Sequence, residues 1–145
     1  MSSKYALNEI KQLVEARLKD DETVWFSAQS ASIDYVIKVL VVTELEAESI
    51  ILKGILKLDD SDFHRRVLMV NWANEIADEY GLEGYQGHNW YIKLLVEDDA
   101  NGRVVNEISF HPTEDEMRLA NGRVLPVTMN RPQVPMRPAK GRRGK

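Results

Sequence analysis

The sequence predicts an α+β domain: an antiparallel sheet of about five strands and two main helices in two layers, in the order α-β-β-β-α-β-β and then a short helix. Three observations carry that expectation. Residues 4–19 and 62–80 place apolar side chains three and four positions apart, the period of a helix with one buried face. Residues 23–58 hold runs of β-branched and aromatic residues with strand-like alternation. Asn101-Gly102 separates two further runs, and both residues tolerate the positive φ of a tight hairpin. Short connections between consecutive strands favour an antiparallel sheet with helices on one face.

In order, Ala6, Leu7, Ile10, Leu13, Val14 and Leu18 form the stripe of the first helix, with Ser2 or Ser3 able to cap it. Asp20-Asp21 ends it, because acids oppose the negative end of the helix dipole. Thr23–Gln29 reads as a strand. Ile33–Thr43 follows as a central strand, with Ile33, Tyr35, Ile37, Val39 and Val41 on one face. Thr43–Glu48 reads as a turn, and Ser49–Leu58 as a third strand with Gly54 at a bulge. Asp60 or Ser61 then caps a long helix, 62–80, whose stripe is Phe63, Val67, Val70, Ala73, Ile76, Ala77 and Tyr80, with Gly81 just past its end.

Gly81–Gly87 is expected to be a glycine-punctuated loop leading into the hairpin Asn89–Glu97 and Arg103–Phe110. Thr113 and Glu116 have the spacing of a capping box, which predicts a short helix ending at Asn121-Gly122. Val124–Met129 adds an edge strand. Residues 1–129 form one domain on this reading, and 130–145 are a proline-rich basic tail, extended or disordered, with no core-forming pattern.

At 145 residues and with no cysteine, the chain has length enough for a core without disulfides. The missing thiols also exclude cysteine catalysis, Cys-ligated zinc and iron–sulfur clusters. Met1–Lys19 has no apolar leader, and Tyr35–Thr43, the most apolar window, is far shorter than the roughly 20 residues of a spanning helix. Cytoplasmic residence is the expectation. The net charge of −4 hides a split: every acidic residue lies at or before Glu116, so residues 1–130 carry −10 and the last fifteen carry +6.

The order of elements and the acidity of residues 4–110 resemble those of secretion chaperones, small acidic dimers that bind unfolded stretches of client proteins. No sequence motif of that family accompanies the resemblance. Phage tail-terminator and inhibitor proteins have similar element lists.

No motif specifies a catalytic centre or a cofactor. His88 and His111 flank the open end of the hairpin, where a shared site would suit a metal or acid–base chemistry. The chain has no H-x-H or H-E-x-x-H spacing, and His111-Pro112-Thr113 is half of a two-histidine phosphoesterase pair whose other half is missing. The acidic clusters sit at turns and helix starts, where solvation and the helix dipole already explain them. Gly81, Gly84 and Gly87 lack the following helix and the Lys of a phosphate loop. Trp25-Phe26 and Trp90-Tyr91 are adjacent aromatic pairs in strands, so one ring of each faces away from the helices and suggests a partner or dimer seam.

The expected function is therefore a non-enzymatic protein-binding module of chaperone, adaptor, inhibitor or virion-component type, expected as a homodimer and without metal or cofactor. Trp25, Trp90, Tyr91 and Tyr85 are its candidate binding residues. Arg131, Arg137, Lys140, Arg142, Arg143 and Lys145 supply electrostatic contacts from the tail. One alternative is a nucleic-acid-associated protein acting through that tail, for which six phosphate contacts would give a salt slope of about −5. The other is a small hydrolase using His88 and His111.

Overall fold

The computed structural model describes residues 3–19, 26–70, 73–99 and 102–127, with backbone alone at 26, 27, 99 and 102. The α+β class is as expected. The elements run α1 (Leu7–Lys19), β1 (Phe26–Ala28), α2 (Ser30–Leu40), α3 (Glu44–Leu56), a 3₁₀ turn (Asp60–Asp62), β2 (Phe63–Met69), β3 (Glu75–Tyr85), β4 (His88–Asp99), β5 (Gly102–Pro112), β6 (Met117–Arg118) and β7 (Val124–Leu125). The sheet is ordered β1-β5-β4-β3-β2, with β1 parallel to β5 and the other neighbours antiparallel. β6 and β7 form a separate small hairpin.

The element order departs from the expected one in three places, the third being the short helix expected after Thr113. Residues 33–58 hold most of α2 and all of α3 in place of two strands. Ile33, Val36, Ile37 and Leu40 also fall on a helical stripe, and all four pack into the core. Helix propensity disfavours β-branched residues by under about 0.7 kcal/mol each, whereas burying a Val or Ile gains about 1.5–3 kcal/mol, so packing decides. Thr43 is the N-cap of α3: its hydroxyl accepts from the Glu46 N–H while the Glu46 carboxylate accepts from the Thr43 N–H. The expected turn at Thr43–Glu48 is thus a helix start, and the expected strand at Ser49–Leu58 lies largely within α3. Gly54 is no bulge there; it lets α3 lie against the sheet, since a Cβ would come within 2.9 Å of the Phe110 and Tyr85 rings.

The second departure is 62–80, which forms β2, a turn and the first half of β3 rather than one helix. Ala73 and Asn74 adopt positive φ in that turn, which a helix through this segment forbids. The resemblance to secretion chaperones rested on the expected element order and on acidity, and the observed order removes the first of these.

β4 and β5 pair antiparallel as expected of a hairpin, with Asp99 opposite Gly102. Residues 81–87 are the end of β3 and a tight turn at Gln86-Gly87 rather than a long loop. Thr113 caps no helix. Its hydroxyl donates to the Pro126 carbonyl at 2.8 Å, and residues 113–127 turn back over the sheet as an irregular flap containing β6 and β7.

One face of the sheet meets the helices. Tyr80, Ile92 and Phe110 are paired across β3, β4 and β5, are all fully buried, and join Val36, Ile51 and Ile55 in the main core. Asp78 on this face accepts from the Lys4 and Tyr5 N–H groups at 2.9–3.0 Å, tying the chain before α1 to β3. Burial raises its carboxyl above the ordinary range, and those two N–H groups oppose the shift. Among the described residues the other face carries no helix. The flap covers part of it, with Met117, Leu119 and Leu125 packed against Tyr91. Gly81 makes that seat possible, because a Cβ would stand 2.8 Å from Leu125.

Candidate functional site: the helix-free face of the sheet

Strand register builds this face in rows. Arg65, Glu79, Lys93 and Ser109 are successive partners across β2, β3, β4 and β5, and Gly81, Tyr91 and His111 form the next row. Successive residues of a strand point to opposite faces, so one register places four polar side chains side by side. Glu79 sits at the centre with its side chain 3% exposed. It accepts from Arg65 Nε at 2.8 Å and from the Tyr91 hydroxyl, and Lys93 Nζ lies 4.0 Å away. A buried carboxylate needs such partners, because an unpaired charge here would cost several kcal/mol. Burial and the Glu79 hydrogen bond push the Tyr91 hydroxyl well above its ordinary value, so it remains a donor.

His111 stacks on Tyr91 with ring centroids 4.9 Å apart, and the Tyr35 ring of α2 lies 5.3 Å from His111, tilted by 37°. The Tyr35 hydroxyl bonds Glu114 at 3.3 Å. His64, Arg65, Glu79, Tyr91, Lys93 and His111 line a cleft of about 640 Å³ together with Glu114, Asp115 and Glu116 of the flap. Arg65, Glu79, Tyr91 and Lys93 also line an adjoining trough of about 440 Å³ that runs to Leu68, Met69 and Val70.

β2 closes this side of the sheet and has one strand neighbour, β3. The flap reaches its first two residues: Ala120 N–H donates to the Phe63 carbonyl at 2.7 Å, and His64 Nδ1 lies 2.7 Å from the Arg118 carbonyl. Beyond Phe63, the outer edge of β2 pairs with no strand among the described residues. Leu68 and Val70 near its end are 59% and 68% exposed.

The expected binding residues are distributed differently. Trp90 is fully buried on the helix face, its indole N–H donating to the Tyr85 carbonyl at 2.7 Å. Tyr85 is 7% exposed, and its hydroxyl donates to the Ile50 carbonyl of α3. Both rings serve the core and present no surface to a partner. Tyr91 does face away from the helices, as strand alternation requires once Trp90 faces them. Trp25 and the cations Arg131, Arg137, Lys140, Arg142, Arg143 and Lys145 lie outside the described residues.

His88 and His111 do not share a site. His88 packs edge-on against Trp90, 5.9 Å between centroids, whereas His111 stacks on Tyr91 across the sheet. Among the described residues no group of three or more His, Asp or Glu is arranged to hold a metal. No helix there is long and apolar enough to cross a membrane.

Arg65, Glu79, Lys93, Leu68 and Val70 were missed because four of the five fall in or beside the expected helix 62–80. The signal was present in the turn-forming Asn71–Asn74 between two β-rich runs. Compared with protein families, curated proteins and solved structures, the chain matches none.

Proposed function

We propose that this chain is a non-enzymatic protein-binding module that takes up an extended segment of its partner along the free edge of β2. The observation that carries the reading is the edge itself. A strand with one neighbour offers a row of N–H and C=O groups to an added strand, and side-chain pockets beside it select the sequence. Here the pockets are the trough and the exposed Leu68 and Val70. Arg65 and Arg66 on the same strand favour a partner segment that combines apolar and acidic residues. Antiparallel pairing of two copies about Arg65-Arg66 would set like charges opposite one another, so a different chain fits this edge better than a homodimer. The basic tail adds electrostatic attraction beyond the edge.

The test is selection from a displayed library of random peptides by the full chain. Enriched peptides should alternate apolar positions and carry acids, and Leu68→Lys with Val70→Lys should weaken their binding tenfold or more. Equal binding by that variant would overturn the reading. Titration with single-stranded and duplex nucleic acid addresses the tail: tight binding that survives the β2 substitutions, with a salt slope of about −5, would replace it with nucleic-acid association.

A further inference from the structure

The row Lys93–Glu79–Arg65 alternates in charge across β4, β3 and β2 and ends on a cation at the open edge of the sheet. Glu79 anchors that cation. One of its oxygens takes Arg65 Nε at 2.8 Å and the other takes the Tyr91 hydroxyl, with Lys93 Nζ at 4.0 Å from the latter oxygen. A guanidinium held through Nε keeps both Nη groups, with all their N–H donors. Among the described residues these Nη groups bond nothing. The Arg65 side chain is 58% exposed whereas the Glu79 side chain is buried, so the donors are open to solvent and the carboxylate is not.

Strand parity fixes what surrounds those donors. Val67 and Met69 share the helix-free face with Arg65 and line the trough beside it. Arg66 lies opposite Asp78 and so points to the helix face. Glu79 is the one carboxylate in the lining of the trough, and it is already spent on its own partners. A strand added to β2 would set one residue opposite each of Arg65, Val67 and Met69, with Cβ atoms about 4.5–5.5 Å apart. An acid opposite Arg65 continues the alternation of the row, and apolar residues opposite Val67 and Met69 cover the trough. A slip by one residue turns all three to the other face, so the register is specified.

We propose that Arg65 determines the specificity of the β2 edge by pairing, through its Nη groups, with one Asp or Glu of the partner's added strand. That acid is followed on the same face by apolar residues two and four positions away. Antiparallel addition gives the stronger ladder and places the acid at the C-terminal end of the pattern. The proposal rests on the reading of β2 as a strand-accepting edge and adds the recognition pattern.

The test uses the full chain and the most enriched peptide of the displayed library, labelled with fluorescein and followed by fluorescence polarisation. Each Asp or Glu of the peptide is replaced in turn by Asn or Gln, which leaves the protein untouched. One replacement should weaken binding on the order of fivefold, the upper end for a cross-strand charge pair. The loss should shrink to under about twofold in Arg65→Lys, which keeps a charge for Glu79 but not the planar fork. It should be unchanged in Arg66→Gln, and it should fade at about 1 M salt, where the Debye length falls to about 3 Å. An enriched peptide with no acid, a loss that persists in full in Arg65→Lys, or a loss that disappears in Arg66→Gln overturns the proposal. The edge reading fails by a different result, peptide binding that ignores Leu68→Lys/Val70→Lys. Binding that needs Leu68 and Val70 while no acid couples to Arg65 leaves the edge standing and overturns this proposal alone.

Discussion

Glu107 makes the stability of this fold depend on pH in an unusual direction. It lies on β5 opposite Leu94, fully buried on the helix face, with Ser32 of α2 donating to Oε2 at 2.8 Å. Oε1 has no hydrogen-bond partner among the described residues. Burial therefore raises the carboxyl to about 7, against the opposing pull of the Ser32 hydroxyl and the Gln29 N–H. A raised carboxyl favours the protonated form in the folded state. The folded protein is thus penalised above pH 7 and is relieved as the pH falls through 7 towards the ordinary value of 4.5. At 1.36 kcal/mol per pH unit the full penalty is about 3 kcal/mol, most of it relieved between pH 8 and pH 5. Glu107→Gln keeps an acceptor for Ser32 and removes the charge. Urea unfolding followed by tryptophan fluorescence at pH 5, 6, 7 and 8 should show the variant more stable than the parent by about 2–3 kcal/mol at pH 8, with the two nearly equal at pH 5. Parallel pH profiles, or a variant less stable at pH 8, would refute the reasoning.

Three further outcomes follow from packing. Trp90→Ala should destabilise the fold by about 3–5 kcal/mol in urea, because the ring is wholly buried and its N–H is bonded. A loss below about 1 kcal/mol would place the ring elsewhere. Gly81→Val should lift the flap from the sheet, costing about 1–3 kcal/mol and speeding hydrogen exchange at Leu119 and Leu125, whereas an unchanged exchange pattern would contradict that contact. Thr43→Ala removes the α3 cap and should cost about 1 kcal/mol, while Thr113→Ala should leave helix content by circular dichroism unchanged.

The class of the fold and its hairpin were legible because Asn101-Gly102 sits between strands whose alternation has no competing period. The N-terminal helix was legible for the same reason, through Leu7, Ile10 and Val14. Residues 33–40 were not, because Ile33, Val36, Ile37 and Leu40 satisfy a helix while Ile33, Tyr35, Ile37 and Val39 satisfy a strand; only the surface they pack on distinguishes the two. Two capping boxes competed as well. Thr43–Glu46 starts a helix, and Thr113–Glu116, with the same spacing, does not, because Thr113 has a better partner in Pro126. The outward ring of the Trp90-Tyr91 pair followed from strand parity, but which ring it was depended on the register with β3 and β5. The Arg65–Glu79–Lys93–Ser109 row joins four strands across 45 residues of sequence, and no local pattern announces it.

The edge of β2 is the centre of the functional account, and amide hydrogen exchange reads it directly. The full chain is compared with and without a selected extended peptide. Pairing along β2 predicts slowed exchange over Arg65–Met69, with the change lost in Leu68→Lys/Val70→Lys although that variant unfolds at the same urea concentration. Binding that protects another part of the molecule and leaves Arg65–Met69 unchanged would contradict the account.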